Sequence, residues 1–333
     1  MRTYRFKLIL TVVLLLICMA AALMIGTYRV GFYDLFQMLT SETSKMVRIV
    51  IFDLRLPRIC LAVGVGMALA SSGCILQTIT KNELAEPGVI GINAGAALAV
   101  TLLISASTGA YYEKLGSGII YMIPFAAIVG AFVTTAMIYF LSYRKGVSPV
   151  RLLLVGIGVN SAVNAFITLY QLNMSKGDYN QVLTWINGSL WGTGWKYVVI
   201  SAPIILLLLV VFVYKAKTLD VLALGDAMAH SLGVNVTKER RVFLILAVAF
   251  AGVATAVAGN ITFLGILGPQ IAKRLVGSSH RRQIPMAALI SAVIIVAADT
   301  VARNLFSPLE LPVGIAISVL GVPYFIYLMV KAK

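Results

Sequence analysis

The sequence predicts an all-α polytopic membrane protein of about ten transmembrane helices with both termini cytoplasmic, and three observations carry that prediction. Of the 333 residues, 60% are hydrophobic. These are about 200 apolar positions, which at roughly 20 per span fill about ten helices and leave little else. Only 12% are charged, against about 25% in ordinary soluble domains, so no stretch is suited to a soluble catalytic domain. The basic residues cluster between apolar runs, as they do in cytoplasmic loops. The net charge of +15 therefore reads as a topology signal and not as a nucleic-acid footprint.

Taken in order, Arg2, Arg5 and Lys7 precede an apolar run, Leu8 to Ile25, that exceeds the 7 to 15 residues of a secretory signal core and reads as a retained first span. Cys18 follows the bulky Ile17, which argues against lipoprotein processing, and Cys18, Cys60 and Cys74 lack redox or zinc spacing. Clear runs occur at about 8–27, 59–79, 89–106, 119–141, 150–173, 197–214, 242–259, 284–302 and 311–330. A tenth candidate, 261–276, is short and carries Gly265, Gly268, Pro269, Lys273 and Arg274. Charge decides in its favour. With ten spans the N-terminal cations, Arg144, Lys145 and Arg151, the basic residues of 215–241, the cluster Lys273 to Arg282, and Lys331 and Lys333 all face inward. With nine, the last two groups face outward, against the positive-inside bias. Such a span is expected to be short or interrupted, with its free backbone groups buried in protein or facing an aqueous cavity, as in transport machinery.

Three connecting segments stand out: an outer loop over 29–58, an outer Gly- and Trp-rich segment over 174–196, and an inner loop over 215–241. Only the last suits docking of a cytoplasmic partner. Within it, a short helix is expected from Asp226, whose carboxylate would cap free amides, through Ser231 to Gly233. Small side chains without Lys or Arg suit a partner's groove better than a membrane surface.

The chemistry is sparse. No Gly-rich phosphate loop ending in Gly-Lys-Ser/Thr is present, so any ATP is hydrolysed by another polypeptide. His230 and His280, both expected in inner loops, do not form a His-Glu-x-x-His zinc site. No catalytic residue, metal site or cofactor is expected. Asp299, the one clear intramembrane acid, lies four residues before Arg303, the favourable order for an ion pair on one helix face. The alternative is a proton-linked role in an ion-coupled secondary transporter. Asn160, Asn164, Thr168 and Gln171 fall on one helical stripe, which must face protein or water and reads either as interhelical hydrogen bonding or as the wall of a translocation path. Gly64, Gly66, Gly73, Gly91 and Gly95 allow close helix approach.

Several segments together resemble the membrane permease subunits of ABC importers for ferric siderophores, haem and cobalamin. Leu54-Arg55-Leu56-Pro57-Arg58 resembles the start of that family's second helix, and Gln77 through Ala96, with Asn82-Glu83-Leu84-Ala85-Glu86-Pro87-Gly88, its turn into the third. Leu224-Gly225-Asp226 through Leu232-Gly233-Val234 resembles the cytoplasmic coupling element, and Phe263-Leu264-Gly265 through Gly277 the short eighth helix. Ala298 through Arg303 and Glu310 through Gly314 complete the match, which runs over nearly the whole chain in order. Two positions depart from the pattern: Glu83 stands where Pro is common and Gln270 where His is common.

The resemblance implies a pair of ten-helix subunits, identical or paralogous, around a central path in the bacterial cytoplasmic membrane. Two cytoplasmic ATPase subunits and an extracytoplasmic substrate-binding protein complete the importer, whose expected cargo is an iron chelate, first a ferric siderophore. It also implies that Arg55, Arg58 and Arg303 dock the binding protein as exposed outer cations; the plainer reading of Arg55 and Arg58 is that they anchor a helix end by snorkelling. Coupling to the ATPase is expected at Leu224, Gly225, Asp226, Ala229, Leu232 and Gly233, and transport along Asn160, Asn164, Thr168 and Gln171.

Overall fold

A computed structural model of the chain describes residues 2–26, 28, 31, 45–106, 118–143, 148–307 and 309–331. The topology readings placed on 29–30, 32–44, Arg144, Lys145 and Lys333 lie outside these. The fold is all-α. Its helices are α1 (Arg2–Met24), α2 (Lys45–Thr80), α3 (Pro87–Ile90), α4 (Ile92–Ala106), α5 (Gly118–Ser142), α6 (Pro149–Leu172), α7 (Lys176–Ile186), α8 (Trp195–Tyr214), α9 (Ala216–Ala223), α10 (Asp226–Ser231), α11 (Val236–Ala258), α12 (Leu264–Val276), α13 (His280–Leu305) and α14 (Val313–Lys331).

Among the described residues eight helices are long and apolar enough to cross a membrane: α1, α2, α5, α6, α8, α11, α13 and α14. The other two apolar runs form the short α4 and α12. At 15 and 13 residues they rise only about 22 and 20 Å, less than the roughly 30 Å hydrocarbon core.

The core is organised around α2, against which α11, α12 and α13 pack. Its sequence makes this possible: Gly66, Ala68, Ala70, Ser71, Ser72 and Gly73 are all buried, and small residues let backbones approach where lipid supplies no hydrophobic drive. A Cβ on Gly66 would lie 2.8 Å from the Ser291 carbonyl of α13, and one on Gly73 would overlap the Gly265 carbonyl of α12. Ser72 Oγ donates to the Ala247 carbonyl of α11 at 2.8 Å. Gly91 allows close approach, since a Cβ on it would lie 3.3 Å from the Gly156 carbonyl of α6, and it has a second role. It caps α3 at φ +93°, a conformation that costs a side chain strain.

Two segments differ from the expected loops. Residues 45–58 are helical and not part of an outer loop: α2 begins at Lys45, passes through a π-helical stretch at Ile49–Arg55, and buries Val47 and Ile51 beside Leu23 of α1. The segment 174–196 contains α7, opened by Ser175, whose hydroxyl accepts from the Asp178 N–H. The Ser-x-x-Asp pattern is a capping signature that a search for apolar runs passes over.

The weak span is interrupted at its start. Between α11 and α12 the chain leaves the helix at Gly259 (φ +71°) and re-enters after Phe263, a non-glycine residue at φ +66°. The freed backbone groups are buried in protein: Ser189 N donates to the Ala258 carbonyl at 2.9 Å and Asn260 N to the Trp185 carbonyl at 3.3 Å. Beneath the break, Asn93 of α4 donates to the Asn260 side chain at 2.8 Å and accepts from Thr255 at 3.2 Å. The two short helices thus start from one shared polar cluster.

Candidate functional site

At one end of the bundle the three arginines converge, but they are not the exposed cations the sequence suggests. Arg55 and Arg58 are 5% and 8% exposed. Arg58 engages Asp299 through both carboxylate oxygens, at 2.8 to 3.1 Å, and reaches Glu310 at 2.8 Å through its other terminal nitrogen. Arg55 donates to the carbonyls of Leu23 and Tyr28. Arg303, partly exposed, donates to those of Ala22 and Ile25 at 2.8 and 2.9 Å. The physical reason is the end of α1: the last carbonyls of a helix have no intrahelical partner and carry partial negative charge, and two guanidiniums satisfy them.

The expected Asp299–Arg303 pair is therefore replaced. Asp299 pairs across helices with Arg58, because Arg303 is drawn to the α1 carbonyls. A bidentate buried guanidinium makes Asp299 a structural counter-ion.

The polar stripe lies on α6, whose buried face is formed by Leu152, Gly156, Val159, Val163 and Ile167. Asn164 and Thr168 are exposed, and Asn160 and Gln171 partly so. The stripe bonds along its own helix: Asn164 Nδ2 donates to the Asn160 carbonyl and side chain at 2.8 and 2.9 Å, and Thr168 Oγ1 to the Asn164 carbonyl at 3.0 Å. No interhelical bond of these residues occurs among the described ones. A second polar surface borders the helix break, where Asn187, Asn260, Thr262 and Ser318 line a cavity of about 610 Å³.

At the opposite end, α9 and α10 form the loop between α8 and α11. Leu219 and Leu222 of α9 are buried against the bundle, and Asp220 caps α13 by accepting from the His280 N–H at 2.8 Å. His280 is thus the buried first residue of α13 and not a loop residue; its ring bridges Asp220 at 2.7 Å and Thr78 at 2.8 Å. The short helix runs from Asp226 to Ser231 as expected, but its cap is Gly225 at φ +107°. The Asp226 carboxylate instead ties the loop to its surroundings, accepting from Lys81 at 3.0 Å and from Arg240 at 2.9 and 3.1 Å. Desolvation works to raise the Asp226 carboxyl. The bonds and charges of Lys81 and Arg240 outweigh it and hold the carboxyl below the ordinary range.

Ala229 is buried and faces the chain, which corrects its placement among partner contacts. Leu224, Met228 and Leu232, spaced by four, are 65%, 55% and 57% exposed. Met228, missed in the sequence, could have been found from that i, i+4, i+8 spacing. Gly225 and Gly233 have open space where a Cβ would sit. Nearby, the two departures from the family pattern meet: Gln270 donates to the Glu83 carbonyl at 3.2 Å and to Gln77 at 3.1 Å, while Glu83 pairs with Lys273 at 2.6 Å. Both are exchanges at one contact.

Residues 14–331 match the FecCD transport family. The chain is 43% identical over 323 residues to the iron(3+)-hydroxamate import system permease protein FhuG of Bacillus subtilis (strain 168), covering 97% of this chain and 96% of that one. It is 35% identical over 324 residues to the hemin transport system permease protein HmuU of Yersinia pestis, covering 97% and 95%. The fold is similar to that of a metal-chelate type ABC transporter solved in an inward-facing conformation, with a TM-score of 0.85 at 28% identity over 97% of this chain and 98% of that chain. A whole-length match of this kind, on an all-α bundle with these spans, places the chain in the bacterial cytoplasmic membrane as a multi-pass protein. The chain belongs to the FecCD transport family, the membrane permeases of ABC importers.

Proposed function

We propose that the chain is the permease subunit of an ATP-driven importer for an iron chelate, with a ferric siderophore as cargo. The observation that carries this reading is the 43% identity, over almost the whole of both chains, to a permease named for iron(3+)-hydroxamate import. The importer pairs this subunit with a second permease, identical or paralogous, two cytoplasmic ATPases and an extracytoplasmic binding protein. The termini and the α9–α10 edge face the cytoplasm, in keeping with the positive-inside bias. The ATPase seats on Leu224, Met228 and Leu232, held in place by Asp226 and released from strain at the loop ends by Gly225 and Gly233. The cargo passes along Asn160, Asn164, Thr168 and Gln171 of α6, whose exposure on a membrane helix requires water or a second subunit beside them. The polar cavity at the α11–α12 break extends that path. The binding protein docks at the outer end, with Arg303 the available cation and with Arg55 and Arg58 shaping the rim beneath.

The alternative, ion-coupled transport through Asp299, is disfavoured because Arg58 occupies that carboxylate. The test is uptake of radiolabelled ferric hydroxamate by vesicles carrying the permease with its ATPase and binding protein. Uptake should require ATP and persist when ion gradients are collapsed. Uptake driven by a proton gradient without ATP, and lost in Asp299→Asn, would overturn the proposal.

A further inference from the structure

A groove of about 360 Å³ lies between α5 and α11, lined by Phe132, Thr135, Ala136, Tyr139, Phe140, Arg241, Leu244, Ile245 and Val248. Its mainly apolar walls run about 6 Å along α11, from Leu244 to Val248, and about 12 Å along α5, from Phe132 to Phe140. One end carries a single cation. Arg241 stacks on the Tyr139 ring, its guanidinium carbon 5.8 Å from the ring centroid, and its Nε donates to Tyr139 Oη at 3.1 Å. These two contacts hold the planar fork at the rim and use one of its five N–H donors. Arg241 has no carboxylate partner among the described residues. The acids nearest to it in sequence are engaged elsewhere, Glu239 by Lys215 at 2.6 Å and Asp226 by Lys81 and Arg240. Tyr143 lies beside Tyr139, with ring centroids 6.1 Å apart, giving this end the aromatic character of a membrane–water interface.

We propose that this groove binds an anionic glycerophospholipid of the cytoplasmic leaflet, its phosphate on the Arg241 fork and an acyl chain between α5 and α11. The inference rests on the orientation proposed above, which puts Arg241 at the inner interface. An unpaired, oriented cation above an apolar channel matches a ligand with one anionic head and a long tail, and an anionic leaflet attracts such a cation. A second copy packed groove to groove would set its own Arg241 against this one, like charge against like. A bound lipid would brace α11 directly above the loop that carries Leu224, Met228 and Leu232, joining membrane composition to the ATPase edge.

The experiment counts lipids retained by the purified full-length permease. It is exchanged into micelles containing equal palmitoyl-oleoyl phosphatidylglycerol and phosphatidylethanolamine, then examined by native mass spectrometry. Phosphatidylglycerol should be retained in preference. Arg241→Gln should lower its retention about fivefold without affecting phosphatidylethanolamine, and Ala136→Trp, which fills the groove and keeps the cation, should abolish the preference. Equal retention of the two lipids, or either variant retaining phosphatidylglycerol as the parent does, overturns the proposal. So does copy-to-copy cross-linking in native membranes through Ala136→Cys, which would assign the groove to a second subunit. The readout involves neither transport nor ATPase, so its failure is separable from failure of the importer assignment.

Discussion

The two ends of the bundle use charge in opposite ways. At the end that holds the three arginines, these side chains turn into the bundle, two onto the last carbonyls of α1 and one onto Asp299 and Glu310, and the cations serve the fold. At the α9–α10 end the charges of Asp226, Lys81 and Arg240 also pair with one another, but the effect is to hold a loop whose apolar side chains face out. The difference teaches where to look for a partner. Asp226, Lys81, Arg58 and Asp299 tie the molecule to itself, while Leu224, Met228 and Leu232 stay uncovered and are the residues proposed to meet a partner.

The largest effect tests the tie between Arg58 and Asp299. Asp299→Ala leaves Arg58 buried with Glu310 as its one counter-ion among the described residues, and breaking a buried pair from one side costs about 3 to 5 kcal/mol. A thermal melt of the detergent-solubilised permease should shift down sharply. Arg58→Met combined with Asp299→Leu should recover most of the loss, because the desolvation cost of both charges disappears together. A melt unmoved by Asp299→Ala would show that these charges do not serve the fold and would break the comparison.

The α9–α10 edge should behave in the reverse manner. Met228→Asp or Leu232→Asp alters only exposed surface, so the melt should stay within about 0.5 kcal/mol. Affinity for the ATPase should fall by roughly 2 kcal/mol, about thirtyfold, as for a central apolar contact. Titrating the ATPase onto nanodisc-embedded permease measures this, and unchanged affinity would remove the edge from the coupling surface. Asp226→Asn should act more weakly, since an exposed pair contributes under about 1 kcal/mol. Its pH behaviour has a defined sign. The folded carboxyl is held below its unfolded value, so the tether is present above the unfolded value near 4 and is lost only as pH falls through the lower folded one. ATPase affinity should accordingly be flat from about pH 5 to 8.

Much of this architecture is legible from the sequence, and what is not has an identifiable cause. Apolar runs locate the eight long helices because the bilayer leaves the chain few choices. The short helix at Asp226 is legible because Gly233 stops it and an acid opens it, although the cap itself falls on Gly225. The partner of Asp299 is not: the i, i+4 rule points to Arg303 within α13, whereas Arg58 arrives from α2, 241 positions away, and only the packed bundle brings it there. The exposure of Arg55 and Arg58 is misread for the same reason, since nothing local shows that the carbonyls at the end of α1 lie beside Arg55 or that Asp299 and Glu310 enclose Arg58. On α6, the stripe is legible as polar, but its bonding within one helix is a matter of rotamers that spacing does not encode.

The smallest effect sharpens the comparison at its weakest point. Arg303 alone among the three arginines is partly exposed, and one of its terminal nitrogens is spent on the Ala22 and Ile25 carbonyls. If it also meets a carboxylate of the binding protein, that contact is at a rim, where charge changes the association rate and its salt dependence more than the final affinity. Arg303→Lys keeps the charge and loses the fork, so docking should associate at nearly the parental rate. Arg303→Glu should slow association several-fold at low salt, with the difference vanishing as ionic strength rises and the Debye length contracts to about 3 Å near 1 M. Stopped-flow association of the binding protein with reconstituted permease gives both numbers. A salt-independent slowing in Arg303→Glu would mean that the substitution has loosened the end of α1, and Arg303 would then join Arg55 and Arg58 as a residue that serves the fold alone.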